Sequence, residues 1–258
     1  FEEPVRFLMD GIQADGSVTI IEGSGKRAHY FKSGSTWTTP AHANSTLVAG
    51  GSGSYVLTRY DQTVWTFDSS GKLTSIADPF GNTQTLTYDG NGRIDTIAAA
   101  GGRTLDVTTD TNGHITQISG PGSLSATYQY DGNHLWKATD PASAVTTYTY
   151  DLRHQMLTVV DGNGRTVETN TYGSLGRFKE QLDADGKLLK FEYAPQGFAG
   201  GYAGYAKVTD PRGNQIWYLN DASWRVTDIQ VWQAGTTQVT RTQLSYNANG
   251  DVTQTIDG

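Results

Sequence analysis

The sequence predicts an all-β fold, an array of short antiparallel β-hairpins, and three observations lead to it. An acidic turn motif recurs along the chain at nearly constant spacing. Segments such as "SATYQYDG" and "TYTYDLR" alternate with a period of two, which is typical of strands. With 31 glycines, 14 tyrosines and 6 tryptophans but only 36% hydrophobic residues, the composition favours short strands and tight turns.

The first part of the chain lies outside the regular spacing. Residues 1–60 contain strand-like segments such as "SVTIIEG" and "RAHYFKSG". We expect residues 1–60 to form an N-terminal β segment that leads into the array. The array itself is predicted over 61–258, as a single continuous β domain with an insertion at about 194–207.

The repeat is marked by an acidic residue that follows an aromatic one, as in "YDGNGRI". Successive copies are spaced by 21, 21, 21 and 20 residues and place the marker at Asp68, Asp89, Asp110, Asp131 and Asp151. Degenerate copies follow at Tyr172, Tyr193, Asp221 and Tyr246. Such self-similarity at a fixed period is the signature of a repeat architecture.

A second turn lies about ten residues after each marker. It is seen in "DPFGN" (78–82), "DGNGR" (161–165), "DADGK" (183–187) and "DPRGN" (210–214). Each repeat is therefore predicted as strand, turn, strand and turn. Aspartate bonds its own backbone in such turns, and a glycine such as Gly92 accepts a positive φ.

The aromatic position before each marker predicts contacts between neighbouring repeats. Its residues are Phe67, Tyr88, Thr109, Tyr130, Tyr150, Tyr172 and Tyr193. Because one repeat cannot bury its own apolar face, neighbours must cover it. We expect these rings to form a column from repeat to repeat.

A second group of aromatic residues lies in and near the insertion, which we expect to protrude as a loop. The group comprises Tyr202, Tyr205, Trp217, Trp224 and Trp232. These rings could form a platform that stacks against sugars. Alternating aromatic residues in a sheet more often pack against their neighbours, so core packing is the preferred interpretation.

Candidate metal and catalytic motifs do not reach a recognisable pattern. The "DGNG" and "DADG" turns lack the carboxylate that closes a calcium loop. His134 and His154 fall in equivalent turn positions, close enough to bind a transition metal, but replacement of a turn glycine explains both. We therefore predict no metal, no cofactor and no enzymatic activity.

Charge and composition restrict the partners. The net charge of −7 and the isoelectric point near 5.1 argue against nucleic acid. The chain has no cysteine, and no apolar run reaches the roughly 18 residues that membrane insertion needs. It begins at Phe1, so we expect a processed product or a piece of a longer chain.

The copies "YDGNGRIDTI", "YDLRHQMLTV" and "TYGSLGRFKEQ", spaced by "DPFGN" and "DPRGN", resemble the YD repeats of bacterial Rhs proteins, Tc-toxin cocoon subunits and teneurins. The lead-in "SYVLTRYDQTVWTFDSSGKLTSIADPFGN" is similar to the opening of an Rhs array. The resemblance covers roughly residues 18–258. It implies a spiralling β-sheet that closes into a hollow, YD-shell-like enclosure. Such shells usually contain more repeats and continue into a self-cleaving end region and a toxin, neither of which is seen here.

The resemblance implies a structural segment of a shell that encloses a C-terminal toxin cargo. The expected partners are that cargo or further repeats, and the open sheet edges favour self-association. The expected location is secreted or at the cell surface of a bacterium. The alternative is an extracellular or cell-surface module that recognises carbohydrate or protein through its exposed aromatic residues.

Overall fold

The computed structural model describes residues 8–12, 15–21, 27–39, 44–194, 201–248, 250 and 252–258. Its architecture is all-β and antiparallel, as predicted. The chain divides into two compact units, Phe1–Thr127 and Tyr128–Gly258. The predicted division at residue 60 stays a prediction.

The first unit contains a four-stranded sheet followed by a meander in which each strand pairs with the next. The sheet consists of β1 (Leu8–Ile12), β2 (Val18–Ile21), β3 (Arg27–Ser33) and β4 (Thr36–Thr38). The meander consists of β5 (Thr46–Ala49), β6 (Tyr55–Thr58), β7 (Val64–Phe67), β8 (Leu73–Ala77), β9 (Thr83–Tyr88), β10 (Ile94–Ala98), β11 (Thr104–Thr109) and β12 (Ile115–Ser119). Short 3-10 turns occupy Gly51–Gly53 and Pro121–Ser123.

A hydrophobic core lies where this four-stranded sheet and the first strands of the meander contribute side chains. Its buried members are Val18, Ile20, Tyr30, Leu47, Leu57, Trp65, Phe67 and Leu73. Trp37 and Tyr55 both pack against this core, and their two rings meet edge to face with centroids 5.8 Å apart. The segment before the array therefore supplies a buried apolar layer to the first repeats.

The second unit continues the same hairpin pattern. Strand β13 (Ser125–Asp131) spans the boundary between the units, and its first residues pair with β12. The remaining strands are β14 (His134–Thr139), β15 (Val145–Tyr150), β16 (Met156–Val160), β17 (Thr166–Tyr172), β18 (Phe178–Asp183), β19 (Leu188–Ala194), β20 (Gly204–Thr209), β21 (Gln215–Asn220), β22 (Val226–Gln233), β23 (Thr237–Tyr246) and β24 (Val252–Asp257).

The second unit buries few side chains completely. Among its described residues, only Asn170, Gly204, Leu219 and Asp228 are buried. Strands such as β16 keep every side chain partly exposed, on both faces of the sheet. The sheet of this unit is therefore held mainly by its hydrogen-bond ladders, its turns and cross-strand pairs.

The insertion after β19 begins and ends in paired strands. Ala194 pairs with Tyr205, and Tyr193 pairs with Ala206. Residues 195–200 of the predicted protruding loop lie outside the described residues.

Candidate functional site

Most turns of the array are closed by one aspartate in the same way. The Asp89 Oδ1 atom accepts hydrogen bonds from the amides of Asn91 (2.9 Å) and Arg93 (2.8 Å). The main chain adds bonds from Asp89 N to the Arg93 carbonyl and from Gly92 N to the Asp89 carbonyl. Among the described residues, the same pair of amide bonds to Oδ1 recurs at ten positions: Asp68, Asp78, Asp89, Asp110, Asp140, Asp151, Asp161, Asp183, Asp210 and Asp221.

The third residue after the aspartate takes a left-handed conformation. Gly92 has a φ of +79°, and the strand register shifts directly after the turn. This combination is the hairpin loop with a bulge, which glycine favours because it has no Cβ. Three of the aspartate turns place another residue there: Ser143, His154 and Trp224, with φ values of +67°, +65° and +61°.

Hydrogen bonds to the carboxylates favour their charged form. The bond from the Arg93 amide is the main reason that the pKa of Asp89 lies below its usual value. The Arg225 side chain lowers the pKa of Asp221 in the same direction. At Asp68, Asp110 and Asp210 burial opposes ionisation, but the donors outweigh it and the pKa is again lowered.

The aromatic residue at the end of a strand contacts the turn of the preceding repeat. The Tyr88 hydroxyl donates a hydrogen bond to the carbonyl of Leu73 at 2.7 Å. Lys72, the residue before Leu73, lies over the Tyr88 ring with its Nζ 5.1 Å from the centroid. We call the hydrogen bond from such a hydroxyl to a carbonyl at the start of the preceding strand the tyrosine clasp, and a residue that lies over the ring, such as Lys72, its cover.

The clasp recurs along the chain. Tyr150, Tyr172 and Tyr246 donate to the carbonyls of Leu135, Met156 and Val226 at 2.9, 2.7 and 2.6 Å. The covering group is the His134 ring over Tyr150 and the Arg225 guanidinium over Tyr246. Arg177 likewise lies 4.6 Å from the Tyr193 ring centroid. A cation or imidazole over an aromatic face is attractive, so a covered clasp links neighbouring repeats by two contacts.

Where the tyrosine is missing, the preceding arginine compensates. Thr109 occupies the position after Tyr88, and Arg93 extends past it. The guanidinium of Arg93 donates to the Thr109 hydroxyl (3.4 Å), to the Asp110 carbonyl and to the Thr111 carbonyl (3.1 Å). Hydrogen bonds from the Arg93 guanidinium therefore take the place of a tyrosine hydroxyl bond between these repeats.

These contacts differ from the predicted column of stacked rings. In Tyr88, Tyr150, Tyr172 and Tyr246 the hydroxyl crosses onto the preceding strand. The Tyr88 and Tyr246 rings lie under cations from turns, whereas the Tyr172 ring contacts Phe178. Phe67 is a fully buried core residue. Tyr130 lies within β13, and Tyr193 lies within β19.

The Asp131 turn is shorter than the others, which makes the predicted turn position of His134 wrong. Only Gly132 and Asn133 separate β13 from β14, and Gly132 takes the positive φ of +57°. His134 instead opens β14, whereas His154 occupies the left-handed position as predicted. The two imidazoles lie side by side, with His154 Nδ1 2.8 Å from His134 Nε2.

The five aromatic residues in and near the insertion make separate contacts. Tyr205 and Trp217 have ring centroids 5.0 Å apart, and Lys207 lies over the Trp217 ring. Trp232 donates to the Gln230 side chain. Trp224 packs over Gly204, yet 58% of it is exposed.

Tyr202 belongs to a polar cluster around the buried Asp228 that the sequence did not indicate. Its hydroxyl donates to Asp228 Oδ2, and the Arg241 Nε donates to the same carboxylate atom at 2.9 Å. Asp228 is fully buried; burial raises its pKa, but the bonds from Arg241 and Tyr202 outweigh this and hold it below the usual value. Because Asp228 and Arg241 lie on neighbouring strands of unlike sequence, only the strand register reveals the contact.

Within the part of the chain that the structure describes, no group of three or more histidine, aspartate or glutamate side chains is placed to hold a metal ion. The described residues also contain no helix of the length and apolarity that crossing a bilayer demands.

A family model matches two stretches of the chain. The family model described as RHS Repeat matches residues 67–104 and 137–166. No curated protein matches the chain.

Three solved structures resemble the chain over 93% of its length. The first is a crystal structure of TcdB2-TccC3-TEV; the identity is 12%, the TM-score is 0.49, and the match covers 17% of that chain. The second is the Photorhabdus luminescens Tc holotoxin pore with a mutated TccC3; the identity is 10%, the TM-score is 0.32, and the match covers 19% of that chain. The third is a crystal structure of TcdB2-TccC3; the identity is 11%, the TM-score is 0.31, and the match covers 20% of that chain. The chain thus spans about a fifth of the length of these proteins.

Proposed function

We propose, from the RHS repeats that this chain carries, that it is a structural segment of a β-sheet wall. In this role the chain acts by enclosure and not by catalysis. The observation that carries the proposal is the tyrosine clasp, which recurs at four tyrosines and couples neighbouring repeats in addition to the main-chain ladder.

Two further features support a wall. The second unit leaves almost all of its described side chains partly exposed, which suits a sheet with accessible faces on both sides. The aspartate turns repeat one pattern of hydrogen bonds, so successive hairpins present uniform ends.

The finer proposal concerns what the wall surrounds. By resemblance to Rhs and Tc proteins, the complete protein encloses a C-terminal toxin cargo, with further repeats completing the shell. We place the protein outside the cell or at its surface, in a bacterium. Open strand edges provide a route for self-association.

Electron microscopy of the gene product that contains this chain tests the wall. The expected result is a curved, continuous sheet in which residues 46–258 form consecutive hairpins. A compact β-sandwich in that density would overturn the proposal.

Protection from trypsin tests the enclosure. Polypeptide outside the repeats should resist cleavage in the native gene product and become sensitive when Tyr88→Phe and Tyr172→Phe weaken two clasps. Tyr148→Phe is the matched control, since among the described residues its hydroxyl has no hydrogen-bond partner. Rapid cleavage of this polypeptide in the wild-type protein would contradict enclosure, and equal resistance in all three proteins would show that the two clasps are not needed for it.

A second function, binding of carbohydrate or protein through aromatic residues, is favoured by Trp224 alone. This ring is 58% exposed at a turn, whereas the other four aromatic residues of the group are partly buried. A glycan array with Trp224→Gly tests it, because glycine suits the positive φ while removing the ring. Binding that disappears in this variant supports a recognition role; a blank array for the wild type removes it.

A further inference from the structure

We propose that His134 and His154 form a binding site for a square-planar transition-metal ion, with copper(II) as the favoured ion. The two imidazoles come from neighbouring repeats: His134 opens β14, and His154 lies in the turn after Asp151. Their nearest nitrogens, Nε2 of His134 and Nδ1 of His154, are 2.8 Å apart, and their ring centroids are 4.8 Å apart.

The two nitrogens lie at hydrogen-bond distance, and the same separation suits one coordination geometry once an ion displaces the shared proton. With metal–nitrogen bonds of about 2.0 Å, two ligands at 90° are separated by about 2.8 Å, whereas tetrahedral ligands are separated by about 3.3 Å. The observed separation matches adjacent ligands in a square-planar complex. Copper(II) prefers that geometry and leads the divalent first-row metals in affinity for nitrogen ligands.

The ring of His134 and the backbone of His154 are held in place before any ion binds. His134 stacks on Tyr150, with centroids 4.5 Å apart and planes at 23°, and the Tyr150 hydroxyl is itself fixed on Leu135. His154 sits in a closed turn, its amide bonded to the Asp151 carbonyl at 3.1 Å. Because little ordering is needed, a chelate of two imidazoles costs little conformational entropy.

The site is open to an ion from solvent. His154 is exposed and His134 is half-buried. Water would complete the coordination, and the acidic chain, with a net charge of −7, favours the approach of a cation.

The array itself supplies the variants that remove one ligand at a time. His154→Gly places at the left-handed position the residue that Gly92 and Gly164 provide in other turns. His134→Lys reproduces the cover that Lys72 gives to Tyr88. His114→Gln is the control, because it removes a histidine outside the pair and inserts the residue that Gln155 provides at the same turn position.

The test is calorimetric titration of the tag-free protein with copper(II) chloride, followed by electron paramagnetic resonance. We expect one bound copper with nitrogen hyperfine structure, and binding at least about tenfold weaker in His154→Gly and His134→Lys, since the second imidazole binds as an intramolecular ligand. His114→Gln should bind like the wild type.

Three results would overturn the proposal. The first is copper binding by the wild type that is no tighter than binding by the His134→Lys/His154→Gly double variant, which would leave only a hydrogen bond between the rings. The second is loss of binding in His114→Gln. The third is tighter binding of zinc(II) than of copper(II), which would exclude the square-planar assignment.

Discussion

At the scale of single residues, one carboxylate oxygen defines each aspartate turn by accepting two amide hydrogen bonds. The bonded carboxylate must be charged to accept both bonds at full strength, and the lowered pKa values of Asp68, Asp89 and Asp221 reflect this. The same side chain thus determines the geometry of the turn and makes the stability of the turn depend on pH.

We predict that the protein loses stability in acid. The folded-state pKa of Asp68, Asp89, Asp110, Asp210 and Asp221 lies below the unfolded value of about 3.9. Between the two values the unfolded chain binds more protons, so the stability that these groups contribute is fully present above pH about 4 and is lost as the pH falls through the folded pKa values. Urea denaturation at several pH values measures it.

Asp89→Asn provides the control for this pH dependence. Asparagine keeps a side-chain oxygen that accepts the amide bonds of a turn but does not titrate. The variant should show a smaller loss of stability between neutral and acidic pH than the wild type. An unchanged pH slope would show that Asp89 does not contribute.

The tyrosine clasp predicts that removal of one hydroxyl lowers the stability of the protein. Tyr150→Phe removes the hydrogen bond to the Leu135 carbonyl but keeps the ring under His134, so the free energy of unfolding should fall by about 0.5–1.5 kcal/mol. Chemical denaturation measures the change. Tyr148→Phe, on the same strand, should be close to neutral, and an equal loss in both variants would refute the role of the clasp.

At the scale of the hairpin, the turn glycines are not equivalent. Gly92→Ala should lower the free energy of unfolding by about 1–2 kcal/mol, because a Cβ is strained at φ +79°. Its Cβ would also come within 2.6 Å of the Lys72 Nζ and displace this cation from Tyr88. Urea midpoints measure the loss.

Gly90→Ala, two residues away, serves as the comparison. No atom lies within 4 Å of the position that its Cβ would take, and its φ is not positive. Its effect should stay within about 0.5 kcal/mol. If both alanine variants lost the same stability, the left-handed position would not be the cause.

The hairpins could be predicted from the sequence because their determinants are local. Aspartate followed three residues later by glycine indicates the turn, and period-two alternation indicates the strands on either side. The shorter turn after Asp131 misled the prediction for His134, since a loop that loses one residue shifts the equivalence of every position after it.

The contacts between hairpins could be predicted only in part. The spacing indicates that neighbouring aromatic residues meet, but the hydroxyl of Tyr88 reaches the Leu73 carbonyl through a register that includes a bulge. The Asp228–Arg241 pair depends on the same kind of non-local register. Sequence periodicity does not encode such offsets.

At the scale of the whole molecule, strands pair with their neighbours in chain order. A chain that ends at residue 236 lacks β23 and β24, and with them the Arg241 bonds to Asp228 and the Tyr246 clasp. We expect the remaining hairpins to stay folded with a lower midpoint of unfolding, because stability in repeat proteins is mainly a sum over neighbours. Circular dichroism and hydrogen exchange would detect this. Complete loss of cooperative unfolding would contradict it.

The tyrosine clasp has a consequence for how such a chain changes in evolution. Each clasp involves only neighbouring parts of the chain. Even where Thr109 stands in place of the tyrosine, the replacement contact comes from Arg93 in the turn just before it. The 21 residues from Asp68 to the residue before Asp89 contain both partners of one clasp, Leu73 and Tyr88, so duplicating this whole unit adds a complete clasp. A shorter insertion within a unit separates a turn from its partner. Gain or loss of whole units therefore preserves these contacts while the array lengthens or shortens.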